Sequence, residues 1–421
     1  MLTRLLAATA VSLTLTAPAA AEQIELRVHY ALPQLFNDIQ EGIAAGFMAE
    51  NPDVKIVFDA PAEEYEQGVQ RLLRESIAGT LPDIAYVGLN RWRVLQEREI
   101  AVPLNAFMGS ADELAAQGYT PALLSLGRLG DTQYAMAVSA STPVMYVNSD
   151  LVAQAGGSME AFPSDWDGLI ELGSRINALG GDIDGLYYHF WGSDWMWQAL
   201  LGSHGGRPLT EDEGDIAIDS AAGMAAAELL ARFRAEADMP SYDRAAAQQA
   251  FAAGKLGIYF DSSSFLARVE EAVGDRFPVR LVEYPITAEA SEVYLPTGGS
   301  GIAILTDDPA RQEAAWRYIT WATGPKGATV VVENSGYAPT NAIVVEDESY
   351  LGEFYAANPN AKVAHAQLAK YAGPWYAFPG AGGVKVTDTI MKGLRDVIDQ
   401  TAAPDVKLNE VAAQVRSQLD M

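Results

Sequence analysis

The sequence predicts an α/β protein of two lobes, each a sheet covered by helices. Three observations carry this. Short apolar, β-branched runs alternate with stretches of helical period from the start of the chain, and that alternation is what a parallel, helix-covered sheet produces. The chain has 421 residues, more than one hydrophobic core usually organises. It has no cysteine, so no disulfide staples it and stability must come from a large core.

Ile24 to Val28 reads as the first strand. Leu35, Ile39, Ile43 and Phe47 then recur every four residues, the apolar stripe of a helix. Asn51-Pro52-Asp53 ends that helix, because proline cannot continue its ladder. Lys55 to Phe58 is a second strand. Tyr65 to Ala78 is a helix with Val69, Leu72, Leu73 and Ile77 inward, and Gly79 stops it. Asp83 to Val87 is a third strand. The alternation resumes with a strand over Thr142 to Val147 and a short helix over Asn148 to Gly157. Ser164-Asp165-Trp166-Asp167 starts another helix. Alanine-rich helices are expected near Ser220 to Ala237 and Arg244 to Ala253, and strands at Leu256 to Phe260 and Gly301 to Leu305. Helices around Ala310 to Ala322, Asp388 to Ile398 and Leu408 to Leu419 complete the chain. No repeat, low-complexity tract or flexible linker separates the lobes, so the chain is expected to cross between them several times.

The first 21 residues have the make-up of a secretory signal peptide. Arg4 supplies the positive end, Leu5 to Ala17 is nearly free of polar character and too short to span a bilayer, and Ala19-Ala20-Ala21 offers small residues before a cut. Export to a Gram-negative periplasm, with a mature protein beginning at Glu22, is the expectation. Without cysteine there is no lipid attachment at an N-terminal thiol, so the protein is expected to be free rather than tethered; no later stretch approaches ~18 uninterrupted apolar residues, so solubility is expected, and so is a monomer. The chain carries 28 Lys+Arg against 55 Asp+Glu. Such a surface repels nucleic acid and anionic lipid, and no basic run or aromatic–basic patch offsets it.

Enzyme motifs are lacking. His29, His189, His204 and His365 show no metal-binding spacing. Gly299-Ser300-Gly301 resembles part of a nucleophile elbow, but Ile302 stands where a glycine is needed. No phosphate loop or dinucleotide fingerprint is present, so no cofactor is expected. Carboxylates alone do not decide against glycoside hydrolysis, and a secreted carbohydrate-active enzyme is the competing class.

The aromatic residues say more. Trp191, Trp195 and Trp197 fall within seven residues, beside Tyr187, Tyr188, His189 and Phe190, with Gly192, Ser193 and Asp194 between them. Flat rings match the C–H faces of sugars, and hydroxyls and amides match their oxygens. An aromatic core corner explains the same cluster equally well. Tyr294 to Gly301 places Gly298 and Gly299 before a strand, where backbone N–H groups can approach a ligand. Ser262 and Ser263 follow the strand ending at Phe260, at the carboxyl end where α/β sheets bind ligands. Helix capping is the plain alternative for these serines.

Together these stretches resemble the extracellular solute-binding proteins of carbohydrate ABC importers (family 1). The likeness is greatest to members that bind sn-glycerol 3-phosphate and more distant to those that bind maltose. It rests on Ala45 to Val57 (AGFMAENPDVKIV), Glu64 to Gly68, Ser141 to Asp150 (STPVMYVNSD), Gly298-Gly299, Ser335 to Thr340 (SGYAPT) and Phe354 to Asn360 (FYAANPN). The resemblance implies a periplasmic binding protein of type II, with two lobes joined by a multi-stranded hinge that closes on the ligand. Lobe one is expected to take 22–138 and 287–322, and lobe two 139–286 and 323–421. Crossings are expected near Val138 to Ser141, Glu283 to Thr287 and Trp321 to Pro325. The implied ligand set is His29, Tyr65, Asn90, Ser141, Trp191, Trp195, Ser262, Ser263, Gly298, Gly299 and Tyr337. The implied partners are a small carbohydrate or polyol and inner-membrane permease subunits.

Two departures bear on ligand charge. The phosphate-binding members would place an acid near Leu89 or Asn90 and an arginine near Pro379, and neither is there. A fork-shaped cation is the usual grip on phosphate, so a neutral ligand is favoured. Arg91 and Arg93, just past the third strand, could hold an anionic sugar or glycerol derivative instead, although solvated surface charge is the better default for arginines.

Overall fold

The computed structural model describes residues 23–190, 194–286, 293–379 and 383–419. The proposed signal peptide and Trp191 lie outside them. The chain opens with β1 (Ile24–His29), α1 (Pro33–Glu50), β2 (Val54–Phe58), α2 (Tyr65–Ala78), β3 (Ile84–Gly88) and α3 (Trp92–Glu97). β1 pairs in parallel with β2 and β3, as the alternation requires. The breaks fall where the sequence puts them: Asn51 caps α1, and Gly79 ends α2 at φ 67°, a left-handed conformation that glycine adopts without steric cost.

β4 (Met136–Ser141) leads through Thr142 alone into β5 (Pro143–Asn148). The second half continues with α4 (Trp166–Asn177), β6 (Asp184–Tyr188), α5 (Trp195–Ser203), α6 (Ala221–Ala237), α7 (Arg244–Ala252), β7 (Leu256–Ser262) and β8 (Val279–Glu283). The chain then forms β9 (Leu295–Pro296), β10 (Gly298–Ile304), α8 (Pro309–Thr323), α9 (Pro325–Glu333), α10 (Ala361–Tyr371), β11 (Ala372–Gly373), α11 (Gly383–Ile398) and α12 (Pro404–Leu419). One sheet has the order β2-β1-β3-β10-β4 and the other β8-β5-β7-β6. Thr142 therefore carries the chain from one sheet to the other in a single residue.

Not every strand is parallel. β10 runs antiparallel to β3 and β4, and β5 runs antiparallel to β7 and β8. The reason is topological. β3 and β4 run toward the junction between the sheets, whereas β10 enters from that junction and runs away from it. β10 also begins earlier than its apolar run suggests, so Gly298 and Gly299 lie inside the strand. Glycine is a poor strand residue, but a Cβ on Gly299, at φ 118°, would sit 2.1 Å from the carbonyl oxygen of Ser139. Close pairing with β4 demands glycine there.

Each sheet has its own core. The first gathers Leu26, Ile39, Phe47, Ile84, Ile302 and Tyr318. The second gathers Val147, Leu186, Tyr188, Phe233, Phe260 and Val415, with α11 and α12 packed on α6. Arg311 of α8 donates to Asp83 at 2.8 Å, and Asp83 also accepts from the backbone N–H of Arg27 at 2.8 Å. This fixes α8 at one end of β1. The helix α9 follows α8 through the single cap residue Gly324. It packs against α1, α8 and β4, with Val331 in the first core. The division expected from the sequence gives residues from 323 onward to lobe two. The single cap residue Gly324 ends one helix and begins the next without taking the chain out of the layer.

Candidate functional site

A cleft of about 450 Å³ opens where the two halves meet, within the usual size of small-molecule sites. Leu89, Asn90, Trp92 and Arg93 line one side, from the end of β3 and the first turn of α3. Glu213 and the segment Ala372–Ala377, with Trp375 and Tyr376, line the other, and Thr297 lies at the junction. The end of β3 and the start of β10 face this region, as ligand sites in open α/β sheets do.

Three residues of the cleft lining carry buried polar atoms without a hydrogen-bond partner among the described residues: Asn90 Oδ1, Trp92 Nε1 and Thr297 Oγ1. Most buried polar groups are paired, so a concentration of unpaired ones beside a cleft marks capacity to bind something polar. The cations are less available. Arg91 pairs with Glu66 at 3.1 Å, and Arg93 pairs with Glu97 at 3.5 Å and, across the cleft, with Glu213. Arg128 lines the cleft, exposed, and makes no ion pair among the described residues.

The expected site residues fall into three groups. Asn90 is in the cleft wall. Beside it the ring of Tyr65, at the first position of α2, lies against Gly88, where a Cβ would come 3.1 Å from the ring. Burial raises the Tyr65 phenol well above its ordinary pKa, and the neighbouring Tyr337 adds to this. A second group sits at the junction. Gly298 pairs with Ser141, and a Cβ on Gly298 would lie 2.7 Å from Ser141 Oγ and 3.1 Å from the Trp195 ring. Trp195 is 5% exposed and meets Trp375 edge-on at 6.4 Å.

The third group is buried away from the cleft lining. His29 ends β1 with its Nδ1 unpaired among the described residues and its Nε2 against Gly68 of α2. Desolvation, helped by Arg71, pushes its pKa down to about 4. Tyr337 stacks on Phe36 at 5.5 Å inside the first core, and burial pushes its phenol up to about 12. Ser262 caps the turn after β7, accepting from Ser264 N at 3.2 Å. Ser263 accepts from Thr142 N at 3.2 Å, and its own N–H donates to Thr142 O at 3.0 Å. Gly299 answers the close approach to Ser139 described above.

Trp92, Thr297, Glu213, Trp375 and Tyr376 were not anticipated. The one available signal was the aromatic pair bracketed by Gly373-Pro374 and Pro379, the same pattern of large rings among turn-formers that singled out 187–197. Trp197 is 1% exposed in the second core. Among the described residues no group of His, Asp and Glu is arranged to hold a metal ion, and no helix is long and apolar enough to cross a membrane.

Residues 32–329 match the family of bacterial extracellular solute-binding proteins. The sn-glycerol-3-phosphate-binding periplasmic protein UgpB of Escherichia coli K12 is 22% identical over 340 residues, covering 78% of this chain and 76% of its own. UgpB of Mycobacterium tuberculosis, solved with glycerophosphocholine, superposes with a TM-score of 0.81 at 21% identity, over 94% of this chain and 98% of its own. The cyclic α-maltosyl-1,6-maltose binding protein of Arthrobacter globiformis does so with a TM-score of 0.78 at 22% identity, over 94% and 99%. These likenesses establish the fold as that of the type II periplasmic binding proteins.

Proposed function

Since the chain belongs to the bacterial extracellular solute-binding protein family, we propose that it captures a sugar, glycoside or polyol in this cleft and passes it to the permease of an ABC importer. It is a binding component, not an enzyme. The observation that carries the ligand class is the make-up of the cleft. Aromatic residues line it from both halves, Trp92 from one and Trp375 with Tyr376 from the other. Asn90, Trp92 and Thr297, also in its lining, carry buried polar atoms unpaired among the described residues. Rings cover the C–H faces of a sugar while the polar atoms meet its hydroxyls. Contacts from both sides make closure favourable only when ligand is present.

The hinge assigned here runs through Thr142, the stretch between β8 and β10, and the approach to α10, with residues 323 to about 357 kept in lobe one. Gln367 of α10 supports this, donating to Thr142 Oγ1 and Pro143 O at 2.6 Å each. Export and cleavage before Glu22 complete the reading, and intact mass of periplasmic material tests it. Retention of residues 1–21 would refute it.

A thermal-shift screen with sugars, polyols, sugar acids and glycerophosphodiesters tests the ligand class. A ligand at a hundred times its Kd stabilises by about 2.7 kcal/mol. No shift with any neutral carbohydrate would sink the leading reading. Arg128 favours a second one, an anionic glycerol or sugar derivative. It predicts stabilisation by glycerophosphocholine that Arg128→Gln abolishes.

A further inference from the structure

The segment Gly373-Pro374-Trp375-Tyr376-Ala377-Phe378-Pro379 belongs to no helix, and only its first residue lies in a strand. Its backbone groups must be satisfied some other way. At its start, β11 pairs in parallel with β9, and Thr297 N donates to Gly373 O at 2.8 Å. Gly373 has no room for a side chain, since a Cβ would come 2.6 Å from the Tyr294 ring. Beyond this, one side chain takes the place of a neighbouring strand. Gln198 Oε1 accepts from Tyr376 N at 3.0 Å, and Gln198 Nε2 donates to Tyr376 O at 3.0 Å. The same Nε2 donates to Asp194 Oδ2 at 2.9 Å, and Trp375 Nε1 donates to Asp194 Oδ1 at 3.2 Å.

We propose that Asp194 and Gln198 are positioning residues that hold Trp375 and Tyr376 as one wall of the cleft and thereby set its affinity. This rests on the cleft being the ligand site. Neither residue lines the cleft. Asp194 is 4% exposed and Gln198 fully buried, one helical turn apart at the start of α5. Placing a carboxylate there costs desolvation, which raises its pKa, while Gln198, Trp375 and Arg91 oppose the rise. A core needing only volume would use an apolar pair. The polar pair instead fixes the direction of one indole and both backbone groups of the next residue. Bonds to a charged acceptor are the stronger and more directional kind. A wall displaced by about 1 Å loses much of its complementarity to a rigid ligand.

The test uses Asp194→Asn, which keeps the shape, and Gln198→Met, which keeps the bulk and removes the bonds to Tyr376. Trp375 and Gln198 donate to different oxygens of Asp194, so in the Asn variant one of them faces an NH2 group, which cannot accept. Trp375 is read without ligand, as the fluorescence difference between each protein and its Trp375→Phe partner. Affinity for maltose and for glycerophosphocholine is read by calorimetry. Expected are a red shift and greater acrylamide quenching of Trp375 in both variants, with affinity for whichever probe the wild type binds about tenfold weaker. An unchanged Trp375 signal overturns the proposal, and so does a changed signal with wild-type affinity. If the wild type binds neither probe, the choice of ligand class fails, while the Trp375 signal still decides whether the pair positions the wall.

Discussion

His29 offers a measurement whose sign and size both follow from the structure. Its imidazole is buried at the end of β1, facing Gly68 of α2, with Arg71, Asp59 and Glu75 as the charged groups around it. Burial holds the pKa at about 4, against 6.5 when free. The folded state therefore takes up its proton later than the unfolded chain as pH falls. Between the two values the unfolded state binds more protons, so stability is lost as pH drops from about 6.5 toward 4 and is fully present above that window. For a single group the difference between pH 7 and pH 4.5 comes to about 2 kcal/mol. Other groups titrate too, so the comparison is with His29→Gln, whose profile lacks this term. Urea unfolding at a series of pH values gives both curves. The wild type should lose about 2 kcal/mol more than the variant across the window. Parallel curves would mean that His29 is solvated or paired in solution, and that the packing of α2 against β1 is looser than described.

Glu213→Gln removes the ion pair across the cleft; its side chains are 30% and 39% exposed, so the expected cost is only about 0.2–1 kcal/mol, at most about fivefold in affinity at low salt and less as salt screens it. A salt-independent loss would mean that Glu213 contacts the ligand directly. Trp197→Ala should cost about 3–5 kcal/mol of folding stability with near-normal affinity in what remains folded, whereas Trp375→Ala should weaken binding by about 2 kcal/mol, roughly thirtyfold, with the smaller loss of stability; denaturation and calorimetry on both variants would expose the reverse assignment. Gly299→Ala forces a side chain into φ 118° and onto the Ser139 carbonyl, and should destabilise by about 1–3 kcal/mol in urea; unchanged stability would show that β4 and β10 can separate freely.

The sequence disclosed what is periodic or local. Helix stripes, the Asn51 and Gly79 stops and the first parallel strands are written in neighbouring residues, and the structure repeats them within a few positions, except that Ile77, expected inward, is 90% exposed in the last turn of α2, where only Gly68, Val69 and Leu72 are buried. Strand direction is different. Nothing in Gly298 to Ile304 itself says that β10 runs against β3, because direction depends on where the chain has been in the two hundred residues since β3. The fate of α9 is likewise set by which surface Val331 finds once Gly324 has turned the chain. The same distinction divides the candidate site. Asn90 lies in the cleft wall because the residue after a strand's carboxyl end is a positional feature that sequence can mark. Ser263 and Tyr337 share the composition of ligand contacts, yet one ties β7 to Thr142 and the other stacks in a core. A hydroxyl satisfied by backbone and one free for ligand are the same letter. Asp194 and Gln198 are the extreme case. Their purpose depends on a segment some 180 residues later, and before folding they read as a turn acid and a helix glutamine. What the fold adds is the identity of each polar group's partner, and the buried groups of Asn90, Trp92 and Thr297 left without one in the cleft lining are those the proposed ligand would satisfy.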